Sequence, residues 1–265
     1  IKFMINFQKT KTFMRERFGA AAAIILFFLL WELFTRTNIL KGLLFPYPSV
    51  VFEELAKGLT EGDYLENLFI TSTRVVSGFT IGGGLGLLLG MLMGWSKKIR
   101  DFVDPLISAI HPIPKFALLP IIIIAFGIGE SSRIIMISIG AFFPMLINTL
   151  GGVLQINPTY YQVLENYGGS TLDVFKKVVL PGSLPYVLTG ARLSLKSSLT
   201  LSIGIEMVFG NSGLGTMLYR GWTALDMTYV YSILIIVSII GIGSNALLAR
   251  AKKKLVPWHE DASTN

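Results

Sequence analysis

Six apolar runs set the limits on how this chain folds: residues 18–35, 68–95, 105–126, 134–154, 186–209 and 229–249. A helix needs about 20 such residues to cross the hydrocarbon core of a bilayer. The spacing therefore predicts an all-α, polytopic membrane protein with about six transmembrane helices. One large soluble core is a poor alternative: such domains carry about a quarter charged residues, whereas this chain is 15% charged and 52% hydrophobic. The first run follows Lys9, Lys11, Arg15 and Arg17, as in a secretory leader, but it ends in Trp31-Glu32-Leu33-Phe34 rather than in small residues. It reads as a retained helix, and residues 1–265 as a single transmembrane domain.

The net charge of +7 is better explained by topology than by nucleic acid, because the basic residues sit between the apolar runs with few aromatics beside them. Lys2, Lys9, Lys11, Arg15 and Arg17 precede the first run. Lys97, Lys98 and Arg100 follow the second, Lys176 and Lys177 follow the fourth, and Arg250 and Lys252 to Lys254 follow the sixth. The alternate connections hold only Arg36, Lys41, Lys57, Arg133 and Arg220. Positive residues stay inside, so both termini are expected in the cytoplasm, together with the polar segment 155–181. The first outer connection is acidic, with Glu53, Glu54, Glu61, Asp63 and Glu66, and has Pro46-Tyr47-Pro48-Ser49 ahead of an amphipathic stretch.

Cysteine is absent, which removes disulfides, Cys-ligated zinc and a thiol nucleophile from consideration. His111 and His259 form no metal motif, and no metal site is expected. Gly78, Gly82, Gly86, Gly90 and Gly94 recur every fourth residue, which places them near one helix face. That face is either a tight packing surface or a sliding or dimer contact. Pro112, Pro114 and Pro120 break the third run, and broken backbone at membrane depth belongs in protein or beside a water-filled cavity. His111 and Lys115 lie in this stretch. Lys115 either faces a solute path or is paired structurally. Arg192 and Lys196 share a face of the fifth run, with Glu206 ten residues on, available to a polar path or to neutralising one of the cations. Asn211, Gly213 and Gly215 then mark a re-entrant or ordinary outer loop.

The polar segment contains Gln162 to Pro181, QVLENYGGSTLDVFKKVVLP. Gly168-Gly169 breaks the helical pattern, and Ser170-Thr171-Leu172-Asp173 is able to start a new helix as a capping box. Val163, Leu164 and Tyr167 before the break, and Leu172, Phe175 and Val178 after it, lie at helix-like spacings, while Lys176 and Lys177 face elsewhere. The expectation is a short helix–turn–helix whose apolar face enters a groove on a cytoplasmic partner, or else packs on its own chain.

At this point the sequence resembles the permease subunits of type I ABC importers. Their signature is Glu-Ala-Ala, three residues, Gly, nine residues, then aliphatic-any-Leu-Pro. Aligned on Gly168, it places Val178 at the aliphatic position and Leu180-Pro181 at Leu-Pro, while Gln162, Val163 and Leu164 replace Glu-Ala-Ala. Further segments look like the nitrate, sulfonate, taurine and bicarbonate branch. They are His111-Pro112-Ile113-Pro114-Lys115-Phe116-Ala117-Leu118-Leu119-Pro120, Phe126-Gly127-Ile128-Gly129-Glu130, Leu184-Pro185, Gly190-Ala191-Arg192, Glu206-Met207 and Asn211-Ser212-Gly213-Leu214-Gly215.

The resemblance implies the type I importer permease fold and a transport subunit of a bacterial-type inner membrane, with no catalytic residues of its own. It implies a homodimer of permeases, two ATPase subunits inside and a solute-binding protein outside. No G-x-x-x-x-G-K-[ST] loop is present, so ATP and Mg are expected on the ATPase and no cofactor on this chain. Coupling is expected at Gln162, Val163, Leu164, Tyr167, Gly168, Gly169, Ser170, Leu172, Phe175, Leu180 and Pro181. The path is expected at His111, Lys115, Arg192, Lys196 and Glu206. The cations favour a small oxyanion such as nitrate, bicarbonate, taurine or an alkanesulfonate; the same class of importer for a vitamin precursor such as a pyrimidine is the nearest alternative. An ion-coupled carrier working alone is the other rival, although the two halves show no internal repeat. A membrane enzyme would need a convergent catalytic set, which is not found.

Overall fold

The computed structural model describes residues 19, 22–37, 39 and 44–258. Lys2, Lys9, Lys11, Arg15, Arg17, Lys41 and His259, and the start of the first apolar run, lie outside the described residues. Helix α1 covers 22–36 and α2 covers Pro48–Thr60. One long helix, Tyr64–Trp95, comprises α3 (Tyr64–Gly78), a π-helical turn (Phe79–Gly83) and α4 (Gly84–Trp95). Then follow α5 (Lys97–Ile110), a 3-10 turn (Lys115–Leu118), α6 (Leu119–Phe126), α7 (Glu130–Leu154), α8 (Pro158–Asn166) and α9 (Thr171–Val174). A second π turn (Phe175–Val179) leads into α10 (Leu180–Phe209), followed by α11 (Leu214–Thr223) and α12 (Met227–Leu255). No strand occurs among the described residues.

By length and composition, three helices are able to cross a membrane: Tyr64–Trp95, Glu130–Leu154 and Met227–Leu255. A fourth is obtained if α5 and the Lys115–Phe126 segment, bent by 90°, count as one broken span. The other two expected spans fall outside this measure of length and composition. α10 has 30 residues, ample for a bilayer, but Arg192, Lys196 and Glu206 interrupt its apolar character, and α1 is described only over 22–36. The break between α5 and α6 falls at Pro112 and Pro114, where the backbone donors are missing.

The described residues divide into two compact units, one within Ile1–Tyr64 and Arg220–Ile235, the other within Leu65–Tyr219 and Ile236–Asn265. In the first, Glu32 of α1 accepts hydrogen bonds from Ser49 N and Oγ at 3.1 and 3.0 Å. The carboxylate thereby satisfies a free donor at the N-terminus of α2, which Pro48 opens. The Tyr64 hydroxyl lies 2.8 Å from Ser232 Oγ and donates to Glu54 at 3.2 Å, with its ring over Gly58.

In the second unit, α7 is the central helix, with the α3–α4 rod on one side and α10 on another. The glycine stripe settles its own two readings, since it is a packing face within the chain. A Cβ on Gly82 would stand 1.9 Å from the Ser138 carbonyl oxygen, and one on Gly86 2.4 Å from that of Phe142. Gly78, Gly90 and Gly94 meet Ile137, Leu146 and Val153 further along α7 in the same way. Backbones this close gain dispersion contacts that side chains would prevent. On the other side of α7, Gly140 receives Leu201 and Gly152 receives Tyr186, both from α10.

Candidate functional site

The polar segment after α7 folds into helix, turn and helix as expected. Asn157 Oδ1 caps α8 by accepting from Thr159 N at 2.9 Å. Gly168, with φ of 72°, takes the left-handed conformation that ends it, and Gly169 N returns to the Leu164 carbonyl at 2.9 Å. The capping box forms: Ser170 Oγ accepts from Asp173 N at 3.2 Å, and Asp173 accepts from Ser170 N at 3.1 Å. Lys177 sits 2.6 Å from Asp173, and its hydrogen bond, with those of Ser170, holds that carboxyl well below the usual carboxylate range.

The faces of this segment differ in part from the expectation. Gln162, Val163, Tyr167, Leu172 and Leu180 are exposed, as is Tyr160, and Tyr167 is 86% exposed. Leu164 and Phe175 instead turn inward onto a core that includes Met145, Val153 and Val179. The Phe175 ring stands 5.7 Å from that of Trp95, edge to face. Leu172 and Phe175 line one apolar cavity with Trp95, as their helix-like spacing predicts, but contact with Trp95 leaves Phe175 half-buried while Leu172 is exposed.

The loop between α10 and α11 is held by a buried polar cluster. Glu206 accepts from Thr71 Oγ1 at 2.9 Å, from Arg74 Nη1 at 2.9 Å, from Ser202 Oγ at 3.2 Å and from Gly215 N at 3.0 Å. Arg74 also donates to the Ser212 carbonyl at 2.8 Å and to Glu130 at 2.6 and 2.8 Å. Asn67 Oδ1 accepts from Gly213 N at 2.6 Å and Thr71 Oγ1 from Leu214 N at 2.9 Å. Gly213, at φ of 103°, leaves no room for a Cβ beside the Glu206 carboxylate. Arg133, also bonded to Glu130, donates to the Phe209 carbonyl at 2.8 Å. Glu206, expected on the path and as a partner of Arg192 or Lys196, is therefore a structural anchor: its two oxygens are taken up by Thr71, Arg74, Ser202 and the Gly215 amide. Arg74 is not among the residues expected at a site, and Glu130 is expected only as part of the Phe126–Glu130 segment. The signal was present, since Asn67, Thr71 and Arg74 lie at i, i+4 and i+7 on one helix face.

The remaining cations form two separate groups. Lys115 donates to the His111 carbonyl and lies 5.0 Å above the Phe143 ring of α7, which His111 also contacts at 5.3 Å. Phe116 packs on Gly204 of α10 and pins this turn in place. Lys115 is thus held between a backbone carbonyl and a ring, with no carboxylate of the described residues beside it. Arg192 and Lys196 lie elsewhere, on a cavity of about 20 Å³ shared with Gly241, Ser244 and Asn245 of α12. Arg192 Nε is buried and lacks a hydrogen-bond partner.

Comparison with known proteins decides what this arrangement belongs to. The family described as "Binding-protein-dependent transport system inner membrane component" matches residues 82–258. The chain belongs to this family. The aliphatic sulfonates transport permease of Escherichia coli (strain K12), itself named as putative, is 32% identical to this family member over 211 residues, 80% of each chain. The nitrate import permease protein of Synechocystis sp. is 30% identical over 211 residues, 80% of this chain and 77% of that one. The taurine transport system permease protein of Escherichia coli (strain K12) is 29% identical over 234 residues, 86% and 85% of the two chains. A chain in inward-facing structures of the MetNI methionine ABC transporter shares the fold, with a TM-score of 0.63 at 19% identity, covering 72% of this chain and 95% of that one. This importer permease is a transport subunit of the inner membrane, not an enzyme; it works with a separate ATPase subunit and a solute-binding protein. Membership of the family replaces the reading as a lone ion-coupled carrier.

Proposed function

We propose that this permease forms the path for a small oxyanion such as nitrate, taurine or an alkanesulfonate, handed over by its binding protein. The observation that carries this is the imbalance of charge on α10. Arg74 and Arg133 are matched by Glu206 and Glu130, and Lys115 by a carbonyl and a ring. Among the described residues Arg192 and Lys196 have no carboxylate partner. Unpaired cations at membrane depth are costly unless an anion or water meets them.

In this reading the exposed residues Tyr160, Val163, Tyr167 and Leu172 seat the ATPase, which binds ATP and Mg, and this chain carries no cofactor. The segment and both termini are cytoplasmic. Supporting this, Trp258, just beyond α12, lines a cavity with Asn157, Tyr160, Lys177 and Tyr186, so the basic end of α12 meets the polar segment. The loop with Asn211, Gly213 and Gly215 faces the binding protein. A second copy completes the path in the bilayer, and nucleic acid is no partner.

The test is ATP-driven uptake by the complete importer in liposomes, with its cognate binding protein inside the assay. Uptake of an oxyanion that falls about ten-fold or more in Lys196→Gln is the expected result. Uptake of a neutral pyrimidine, unchanged in Lys196→Gln and Arg192→Gln, would overturn the reading.

A further inference from the structure

Ser244 and Asn245 of α12 line the same cavity as Arg192 and Lys196 of α10. Ser244 is half-buried and Asn245 exposed, and neither side chain makes a hydrogen bond to another described residue. An amide left unpaired within a membrane helix is unusual, because such groups ordinarily bond across to a neighbouring helix. Here the facing helix offers only a guanidinium and an ammonium, which donate and do not accept.

We infer that Ser244 and Asn245 are specificity-determining residues that complete an oxyanion subsite between α10 and α12; this rests on the oxyanion reading above. The two cations supply charge, and the hydroxyl and the amide N–H groups direct individual oxygens, which distinguishes one oxyanion geometry from another. The cavity of about 20 Å³ has room for one water, which takes roughly 10–15 Å³ on this scale, and none for a sulfonate. Lys196 and Asn245 are exposed, so the subsite is narrow rather than sealed in this conformation, and α10 and α12 part to admit the solute. Little packing resists that movement. Ile239, Ile242 and Leu247 of α12 are exposed, and a Cβ on Gly241 would meet nothing nearer than Leu199 at 3.8 Å.

The test uses the complete importer in liposomes, with nitrate, taurine and butanesulfonate as probes, and reads uptake and ATP hydrolysis together. Asn245→Leu is expected to cut uptake about ten-fold, as for loss of a hydrogen bond to a charged group. Stimulation of ATP hydrolysis by the binding protein should persist, and Asn245→Gln should restore most uptake. Parental uptake in Asn245→Leu removes α12 from the subsite. If Lys196→Gln is still impaired in that case, the oxyanion reading stands; if it too is unchanged, the reading falls as well. Should Asn245→Leu fail to assemble with the ATPase, Asn245→Cys decides, because the parent chain has no cysteine. Slower labelling of that thiol when a probe anion is being transported supports the subsite, and labelling indifferent to all three anions overturns it.

Discussion

Arg74 Nη1 lies 2.9 Å from Glu206 Oε1, with only 4% and 1% of the two side chains exposed. The pair joins α3 to α10, which are far apart in sequence, and the same guanidinium holds the Ser212 carbonyl. It is the central joint of the Gly210–Gly215 region. Removing one member of a buried pair leaves the other charge uncompensated, which costs about 3–5 kcal/mol.

Arg74→Met and Glu206→Met are therefore each expected to lower the melting temperature of the detergent-purified permease clearly, while the double change Arg74→Met with Glu206→Met recovers part of the loss. Fluorescence-monitored unfolding checks this. Additive losses in the double variant would show that the two residues act independently.

The glycine stripe yields a position-specific expectation. Gly82→Val should prevent accumulation of folded permease, because its side chain would run into the Ser138 backbone. Gly84→Ala, two residues on, meets nothing within 4 Å and should be neutral or slightly stabilising, by up to about 1 kcal/mol. Expression followed by size-exclusion chromatography separates the two, and equal behaviour would mean that the stripe does not set the contact with α7.

Tyr167 and Phe175 should fail in different ways. Tyr167→Ala removes an exposed ring and should weaken co-purification of the ATPase with the permease's own melting temperature unchanged. Phe175→Asp places a carboxylate against Trp95 and should destabilise the permease itself, by a few kcal/mol, about 2–5. ATPase loss in Phe175→Asp without any loss of stability would return Phe175 to the docking face.

The charge on Asp173 gives a pH expectation. Its folded pKa is depressed by Lys177 and Ser170, so its contribution is fully present above the ordinary aspartate value of about 3.9. That contribution is lost only as pH falls through the lower folded value. Coupled ATP hydrolysis of the parent and of Asp173→Asn should then differ by a constant factor between about pH 5 and 8. A difference that itself titrates near neutrality would contradict this assignment of the cap.

The helical fold, the hinge at Gly168 and the capping box at Ser170 were legible in the sequence because each is a local rule: apolar period, left-handed glycine, a hydroxyl three residues from a carboxylate. The half-burial of Phe175 was not, since the Trp95 ring that it meets belongs to a different helix. Nor was the role of Glu206. Its partner Arg74 lies 132 residues away, and only the fold shows which of several cations a carboxylate meets. The 90° bend within the third run was not legible either, because hydropathy of a run does not reveal how Pro112 and Pro114 redirect it. Arg192 and Lys196 were recognisable as residues, but their neighbours Ser244 and Asn245 were not, because nothing in a single helix identifies the helix opposite.

Helix α10 continues from the π turn that follows α9 and carries in its last turn Glu206, which anchors the Gly210–Gly215 loop. Between those ends its one internal proline is Pro185, close to the start, and from Tyr186 to Phe209 the helix is unbroken. The polar segment and the Gly210–Gly215 loop thus stand at opposite ends of one continuous 30-residue helix, so neither is more than a single rigid element away from the other.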